Sequence, residues 1–285
     1  MRDKLCLVTG ANSGIGRATA EELARRGATV VMLCRDRGRG EAARARIATR
    51  VDGARLELLI ADLASQRSVR RAAEEFKSAH PRLDVLINNA GVFWGRRQVT
   101  GDGLEATFAI NHLGHFLLTQ LLEEELKASA PSRIVNVSSS AYKAARLNLA
   151  DLQSERGYDA MRAYGNSKLA NILFTYELAR RLDGSGVTAN CLHPGVVRTR
   201  IGRNAPPLIW LFFLVMKPLL LSPAKGAATT VYLATSPEVE RVSGKYFVKQ
   251  VPQPTAARTY TEETARRLWE ISEKLTDLTA ADPTA

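Results

Sequence analysis

The chain has 285 residues, 45% of them hydrophobic and 24% charged, a balance that suits one sizeable core and excludes a disordered chain or a small disulfide-stapled scaffold. With 40 Lys and Arg against 29 Asp and Glu, the net charge is +11, which favours an anionic partner such as nucleic acid, a lipid surface or a phosphorylated cofactor. The basic residues are dispersed, however, with "ELARRG" and "ELARRL" at helix ends where cations suit the macrodipole, and no basic tail or aromatic-interleaved basic patch argues for nucleic acid.

The first apolar run, "KLCLVTG", reads as a strand and is too short for a secretory signal, so the chain is expected to start almost at its first strand. A helix follows at "IGRATAEELARRG", then a strand at "ATVVMLCR", a helix at "GRGEAARARIATR", a strand at "ARLELLIADL" and a helix at "QRSVRRAAEEFKSA". The second half keeps the rhythm: "LDVLINNAG", a long helix over "LEATFAINHLGHFLLTQLLEEELKAS", "SRIVNVSSS", a helix holding "AYGNSKLAN", "GVTANCLHPG", a last strand at "GKYFV" and a helix near "TEETARRLWEISEKL". Strand and helix alternating at this spacing predict a doubly wound parallel α/β sheet, a Rossmann fold, in a single domain over residues 1–285 with a frayed end at "DLTAADPTA". Cys6, Cys34 and Cys191 each fall in a strand-like run without paired spacing, and His80, His112, His115 and His193 form no ligand pattern. A reduced, cytoplasmic protein without a metal is expected, with His112 and His115 serving packing or capping.

"TGANSGIG" places Gly10, Gly14 and Gly16 between the first strand and its helix. Glycines there let main-chain amides and the helix N-terminus approach a pyrophosphate, although the G-x-x-x-G-x-G spacing is wider than the commonest dinucleotide fingerprint. The second strand ends in "LCRD", where an acidic side chain accepts from an adenosine ribose 2′-OH and a basic one accommodates a 2′-phosphate. Arg35, with its bidentate guanidinium, favours NADP(H); if Arg35 is a plain surface arginine, Asp36 is the ribose ligand and NAD(H) the cofactor. Tyr164 and Lys168 lie four residues apart, on one face of a helix, as a solvated edge or as a phenol and an ammonium serving chemistry.

Together and in this order, "TGANSGIG", "ADL" at 61–63, "NNAG" at 88–91, Asn111, "NVSS" at 136–139, "YGNSK" and "HPG" at 193–195 resemble the short-chain dehydrogenase/reductase superfamily, over roughly residues 4–250. "MLCRDRGRGEAA", "NHLGHFLLTQLL" and "YGNSKLANILFTYELARRL" look like its retinol dehydrogenase-like branch, similar to WW-domain oxidoreductase and protochlorophyllide reductase, as does the 25-position separation of Ser139 and Tyr164. The resemblance implies that Tyr164 is the acid in carbonyl reduction and the base in alcohol oxidation, and that Lys168 holds the nicotinamide ribose and lowers the phenol's pKa. Ser139, last in "NVSS", would donate to the substrate oxygen, with turn capping left to its neighbours Ser138 and Ser140. Asn111 would distort its helix and hold a water in a proton relay to Lys168, or be a plain buried amide. The cofactor would meet Gly10, Asn12, Ser13, Gly14, Ile15 and Gly16 at the turn, and Asp62 and Leu63 at the adenine. Asn88, Asn89, Ala90 and Gly91 would line the adenosine side or simply stabilise the sheet. Tyr164, Lys168, Pro194, Gly195, Val197 and Thr199 would hold the nicotinamide half.

"APPLIWLFFLVMKPLLL" spans 205–221, and its 14 residues from Leu208 to Leu221 are too few to cross a bilayer. It reads as an apolar substrate lid near 203–222, with Trp210, Phe212, Phe213 and Met216 lining it, or as a buried core helix; a lid of this kind suits a lipophilic substrate and peripheral membrane contact. Eukaryotic retinol dehydrogenases commonly carry an N-terminal anchor, and this chain shows none, which weakens the case for a retinoid. The expectation is therefore an NADP(H)-dependent oxidoreductase acting on a retinal-like, alkyl or aromatic carbonyl. An NAD-dependent alcohol or steroid dehydrogenase and a non-catalytic nucleotide-binding scaffold are the alternatives. A homodimer would pair through the helices of "HLGHFLLTQLL" and "SKLANILFTYELA".

Overall fold

Seven apolar runs become parallel strands, and the central ones are buried on both faces because helices cover the sheet on either side, whereas the edge strand at 55–60 alternates in exposure. The computed structural model describes residues 1–198, 220–255 and 261–278. Its strands are β1 (Leu5–Thr9), β2 (Thr29–Cys34), β3 (Arg55–Ile60), β4 (Val85–Asn88), β5 (Ser132–Val137), β6 (Val187–His193), β7 (Tyr246–Val248) and β8 (Val251–Gln253). All eight join one sheet in the order β3-β2-β1-β4-β5-β6-β7-β8, parallel except for the β7–β8 hairpin. The order reverses between β1 and β4, so a crevice opens there at the carboxyl ends of the strands, where doubly wound folds bind ligands.

The helices are α1 (Gly14–Arg25), α2 (Arg37–Ala48) and α3 (Gln66–Ala79) in the first half. A composite α4 follows, running through Ala106–Phe108, a π turn at Ala109–Leu113 and Gly114–Leu121, and then α5 (Glu123–Lys127), α6 (Ala160–Arg181), α7 (Pro223–Thr235) and α8 (Glu262–Leu275). The long helix expected from Leu104 onward is thus interrupted: it widens around Asn111 and breaks at Leu122 before α5. Helix α7 and strand β8 escaped the pattern of apolar runs, yet α7 carried a start signal, Ser222 accepting from the Lys225 amide with Pro223 at the first helical position.

The core lies on both sides of the sheet. On one, Leu7, Leu33, Leu86 and Ile134 meet Phe76, Phe116, Leu118 and Phe174; on the other, Val8, Met32, Ile87 and Val135 meet Leu23, Ile47 and Leu233. The C-terminal helix α8 packs its Trp269 edge-on to Phe116, with ring centroids 4.9 Å apart, beside Phe174 at 5.8 Å, while the Arg181 guanidinium lies 4.2 Å from the indole. His112 bonds Ser272 of α8 at 3.0 Å. The chain's own last helix thus packs on part of the helical surface formed by His112, Phe116, Phe174 and Arg181. Among the described residues no helix is long and apolar enough to cross a membrane.

Candidate active site

The described residues singled out from sequence gather at the carboxyl edge of the sheet. Gly10 follows β1, Arg35 and Asp36 follow β2, Asp62 and Leu63 follow β3, Asn89, Ala90 and Gly91 follow β4, Ser139 follows β5, and Pro194 and Gly195 follow β6. Thr199 and the expected lid residues Trp210, Phe212, Phe213 and Met216 lie outside the described residues.

Between β1 and α1 the backbone turns through positive φ at Gly10 (67°) and Gly14 (56°), a region that favours glycine. A Cβ at Gly16 would strike the Asn89 amide nitrogen and the Gly10 carbonyl, so the helix can only seat against the turn without a side chain there. Helices α2, α3, α6, α7 and α8 each begin under a side-chain cap, from Asp36, Ser65, Asp159, Ser222 and Thr261, but Ser13 makes no such bond to α1. The first turn of α1 also carries no acidic residue, which leaves a positive helix end, a fit for a pyrophosphate.

At the β2 end the two readings of "RD" separate. The Asp36 carboxylate caps α2, accepting from the Arg39 amide at 2.7 Å, whereas Arg35 is exposed. Asp62 turns one oxygen back to the Ala64 amide at 3.0 Å, and Leu63 is buried against Gly114 of α4. In "NNAG" the roles divide by burial. Asn88 is buried and donates to Asn136 of β5 (2.8 Å) and Thr119 of α4 (2.9 Å), so of its two expected parts the structural one describes it. Asn89 is half-buried and donates its side-chain amide to the Thr9 carbonyl. The Thr9 hydroxyl accepts from the amides of both Asn89 and Ala90 at 2.9 Å.

Asn111 sits in the π turn, fully buried. Its side chain accepts from the Val92 amide (2.8 Å) and donates to the Val92 carbonyl and Ser167 hydroxyl (both 3.0 Å). A π turn shifts the helical ladder by one residue, and the Asn111 carbonyl accepts from Nδ1 of His115 at 3.1 Å. The same ring's Nε2 faces the Thr9 hydroxyl at 3.0 Å, so His115 ties the Asn111 turn to the end of β1. Burial drives its pKa down to about 3, which keeps the ring neutral. The sequence suggested only packing or capping for this histidine.

Helix α6 starts under Asp159, which accepts from the Arg162 amide, and carries Tyr164 and Lys168 on the face turned to β5. Lys168 is buried and donates to the Val137 carbonyl at 3.1 Å, its Nζ 5.7 Å from the centre of the Tyr164 ring; the solvated-edge alternative is thereby set aside. Ser138 is buried and donates to the Lys168 carbonyl at 2.7 Å. Ser139 is half-buried, stands close enough to Tyr164 to influence its titration, and accepts from the Ala141 amide at 3.2 Å. Turn capping expected of its neighbours thus falls to Ser139 itself.

Within the chain itself, burial rather than the Lys168 charge dominates the electrostatics of the phenol. Burial pushes the Tyr164 phenol up to about 12, with the Ser139 hydrogen bond acting in the opposite direction, and burial brings Lys168 down to about 8. Desolvation outweighs the attraction of a cation that is itself desolvated and turned to a carbonyl, so the phenol is held protonated rather than poised as phenolate. A neutral phenol beside a serine hydroxyl presents two donors to one incoming oxygen, as the reduction of a carbonyl requires.

Comparison with known proteins agrees with this geometry. The family model for short chain dehydrogenases matches residues 4–207. Mouse retinol dehydrogenase 14 is 52% identical over 286 aligned residues, covering 96% of this chain and 86% of its own length. Among solved structures, an uncharacterized protein from Mycobacterium paratuberculosis superposes with a TM-score of 0.77 at 37% identity, covering 97% of this chain and 94% of its own. The RhlG protein of Pseudomonas aeruginosa, solved as an NADP active-site complex, gives a TM-score of 0.68 at 28% identity, covering 87% and 94%. The chain belongs to the short-chain dehydrogenase family, in its retinol dehydrogenase-like branch.

Proposed function

We propose that the chain is an NADP(H)-dependent oxidoreductase that interconverts a lipophilic aldehyde or ketone and its alcohol. The observation that carries the reading is the juxtaposition of Tyr164 with buried Lys168, whose Nζ lies 5.7 Å from the centre of the phenol ring, beside Ser139 at the end of β5 and on the sheet edge that holds the uncapped end of α1. Gly10, Asn12, Ser13, Gly14, Ile15 and Gly16 would hold the pyrophosphate side, Asp62, Leu63, Asn89, Ala90 and Gly91 the adenosine, and Tyr164, Lys168, Pro194, Gly195, Val197 and Thr199 the nicotinamide half. The nicotinamide supplies or takes up the hydride. Tyr164 gives its proton to the carbonyl oxygen in reduction and recovers it in oxidation, Ser139 donates to the same oxygen, Lys168 orients the ribose, and Asn111 holds the widened turn beside Val92.

Preference for NADP(H) follows from the capping role of Asp36. A carboxylate bonded to the Arg39 amide is poorly placed to accept from a ribose hydroxyl, and the exposed Arg35 matches a 2′-phosphate. The NADP complex of RhlG, a relative in fold, supports the same cofactor. A lipophilic substrate is supported by the retinol dehydrogenase relatives and by the apolar composition of 205–221, which also suits peripheral membrane contact.

Purified protein titrated with NADPH and with NADH, followed by nicotinamide fluorescence and then by a panel of alkyl, aromatic and retinoid aldehydes, tests the reading. Tight NADPH binding and oxidation driven by the apolar aldehydes are expected. The Tyr164→Phe variant should bind NADPH as the parent does and lose turnover, and retained turnover contradicts the assignment.

A further inference from the structure

His193 precedes the Pro194–Gly195 turn and has no part in the chemistry described above. Resting on that reading of the site, we propose that His193 is a positioning residue: its Nδ1 anchors the turn that carries Ser139 to the end of β6, and so fixes where the Ser139 hydroxyl stands relative to the substrate oxygen and to Tyr164.

The geometry starts from the ladder between β5 and β6, which pair from Ser132↔Val187 to Val137↔Leu192. One step beyond, the Ser138 amide donates to the Leu192 carbonyl at 2.8 Å. In a parallel ladder, donors facing the same neighbour recur every second residue, so the next is the amide of Ser140, and a regular partner would be the carbonyl of Pro194. The chain turns away there, with φ of +85° at Gly195. The Ser140 amide instead meets Nδ1 of His193 at 3.1 Å. A side chain replaces the missing carbonyl at the point where β5 gives way to the Ser139 turn.

An imidazole accepts at Nδ1 only when neutral with its proton on Nε2. Burial, with Lys143 nearby, holds the ring's pKa below its ordinary value and keeps it in that form. Ser139 pins the turn a second time, accepting from the Ala141 amide at 3.2 Å, which leaves its proton for the substrate oxygen. Two consecutive amides after Ser139 are thus fixed, one by its own hydroxyl and one by His193. The same histidine leads into the segment assigned to the nicotinamide, so it sets the hydroxyl against the ring that exchanges hydride.

Three variants test this: His193→Leu removes the acceptor, His193→Asn restores one at the δ position, and His193→Gln places it one bond too far. With an apolar aldehyde, kcat should fall about 10- to 100-fold in the Leu and Gln variants and return to within about 3-fold of the parent in the Asn variant, the scale of losing a well-placed oxyanion donor. The NADPH dissociation constant should stay within about 3-fold throughout, because the turn assigned to the pyrophosphate lies on β1. Hydrogen exchange of the Ser140 amide should accelerate in the Leu variant and stay slow in the Asn variant. An unchanged kcat in the Leu variant, or an Asn variant as defective as Leu, overturns the proposal. So does a loss confined to NADPH affinity. Absence of turnover in the parent protein contradicts the oxidoreductase reading instead, and the Ser140 exchange rates then decide the positioning claim alone.

Discussion

Replacing Lys168 by Met should abolish turnover while making the fold more stable. The ammonium is buried, and burial takes its pKa from 10.5 to about 8. A shift of that size means that holding the charged form in the folded chain costs about 3 kcal/mol relative to the neutral amine. Methionine removes this cost and fills a similar volume, but forfeits the hydrogen bond to the Val137 carbonyl, worth about 1 kcal/mol. Asn171 remains 3.4 Å from that carbonyl and offsets part of the loss. The net gain is about 2 kcal/mol, or about 3 °C in Tm for a chain of 285 residues at an unfolding entropy of about 2 cal/mol/K per residue. The pH dependence carries a sign of its own. Between about pH 8 and 10.5 the unfolded lysine binds a proton that the folded one has released, so the parent gains stability as pH rises through that window, and below pH 8 the penalty is fully present. Thermal melts of both proteins at pH 7, 8, 9 and 10 measure it. The variant should melt higher at pH 7, and its advantage should shrink toward pH 10. A variant that melts lower at pH 7, with a constant difference across the series, refutes the reasoning. Exchange of stability for activity at this position would mark Lys168 as retained for its charge rather than for packing.

Two further predictions concern the cofactor. Gly16→Ala places a methyl against the Asn89 amide and the Gly10 carbonyl, and should cost about 1–3 kcal/mol in a denaturant melt while weakening NADPH binding; an unaltered NADPH titration would show that the α1 turn does not cradle the pyrophosphate. Arg35→Ala should weaken NADPH binding about 10- to 100-fold, the scale of a lost charge-assisted hydrogen bond, and leave NADH binding unchanged. Equal losses for both cofactors in parallel fluorescence titrations would assign Arg35 to something other than a 2′-phosphate.

Much of this molecule was legible in the sequence because the central parallel strands, covered on both faces, carry a continuous apolar signal, while the edge strand β3 alternates. β1 through β6 fall within the expected runs, and α3 begins at Gln66 and ends at Ala79, as its pattern indicates. The site was legible for a related reason: in such a sheet the carboxyl ends converge, so short motifs at strand ends become neighbours wherever they lie along the chain. What escaped was what pairwise geometry decides. Asp36 was weighed as a ribose ligand, although an Asp directly before a helix start is a cap in sequence terms too. Tyr164 and Lys168 were expected to shift each other as charges in water would, but Lys168 is buried and Tyr164 half-buried, and desolvation is the largest influence on each. Asn88 and Asn89 are adjacent and chemically identical; only strand alternation and burial assign the first to the sheet and the second to the crevice. His115 and His193 had no motif of their own, and each found its part by replacing a backbone partner that an irregular turn had displaced or removed. The packing of α8 on α6 was not legible in the sequence either: Trp269 joins the touching rings of Phe116 and Phe174, three aromatics that lie far apart along the chain.

The most direct test of the central claim is to follow the hydride itself. The purified protein is mixed with NADPH carrying deuterium at both C4 positions of the nicotinamide and an apolar aldehyde, and the alcohol formed is analysed by mass spectrometry, with the Tyr164→Phe variant in parallel. The account predicts one deuterium on the carbinol carbon with the parent protein and no alcohol with the variant. Alcohol formed without deuterium, or equal yields from both proteins, would contradict it.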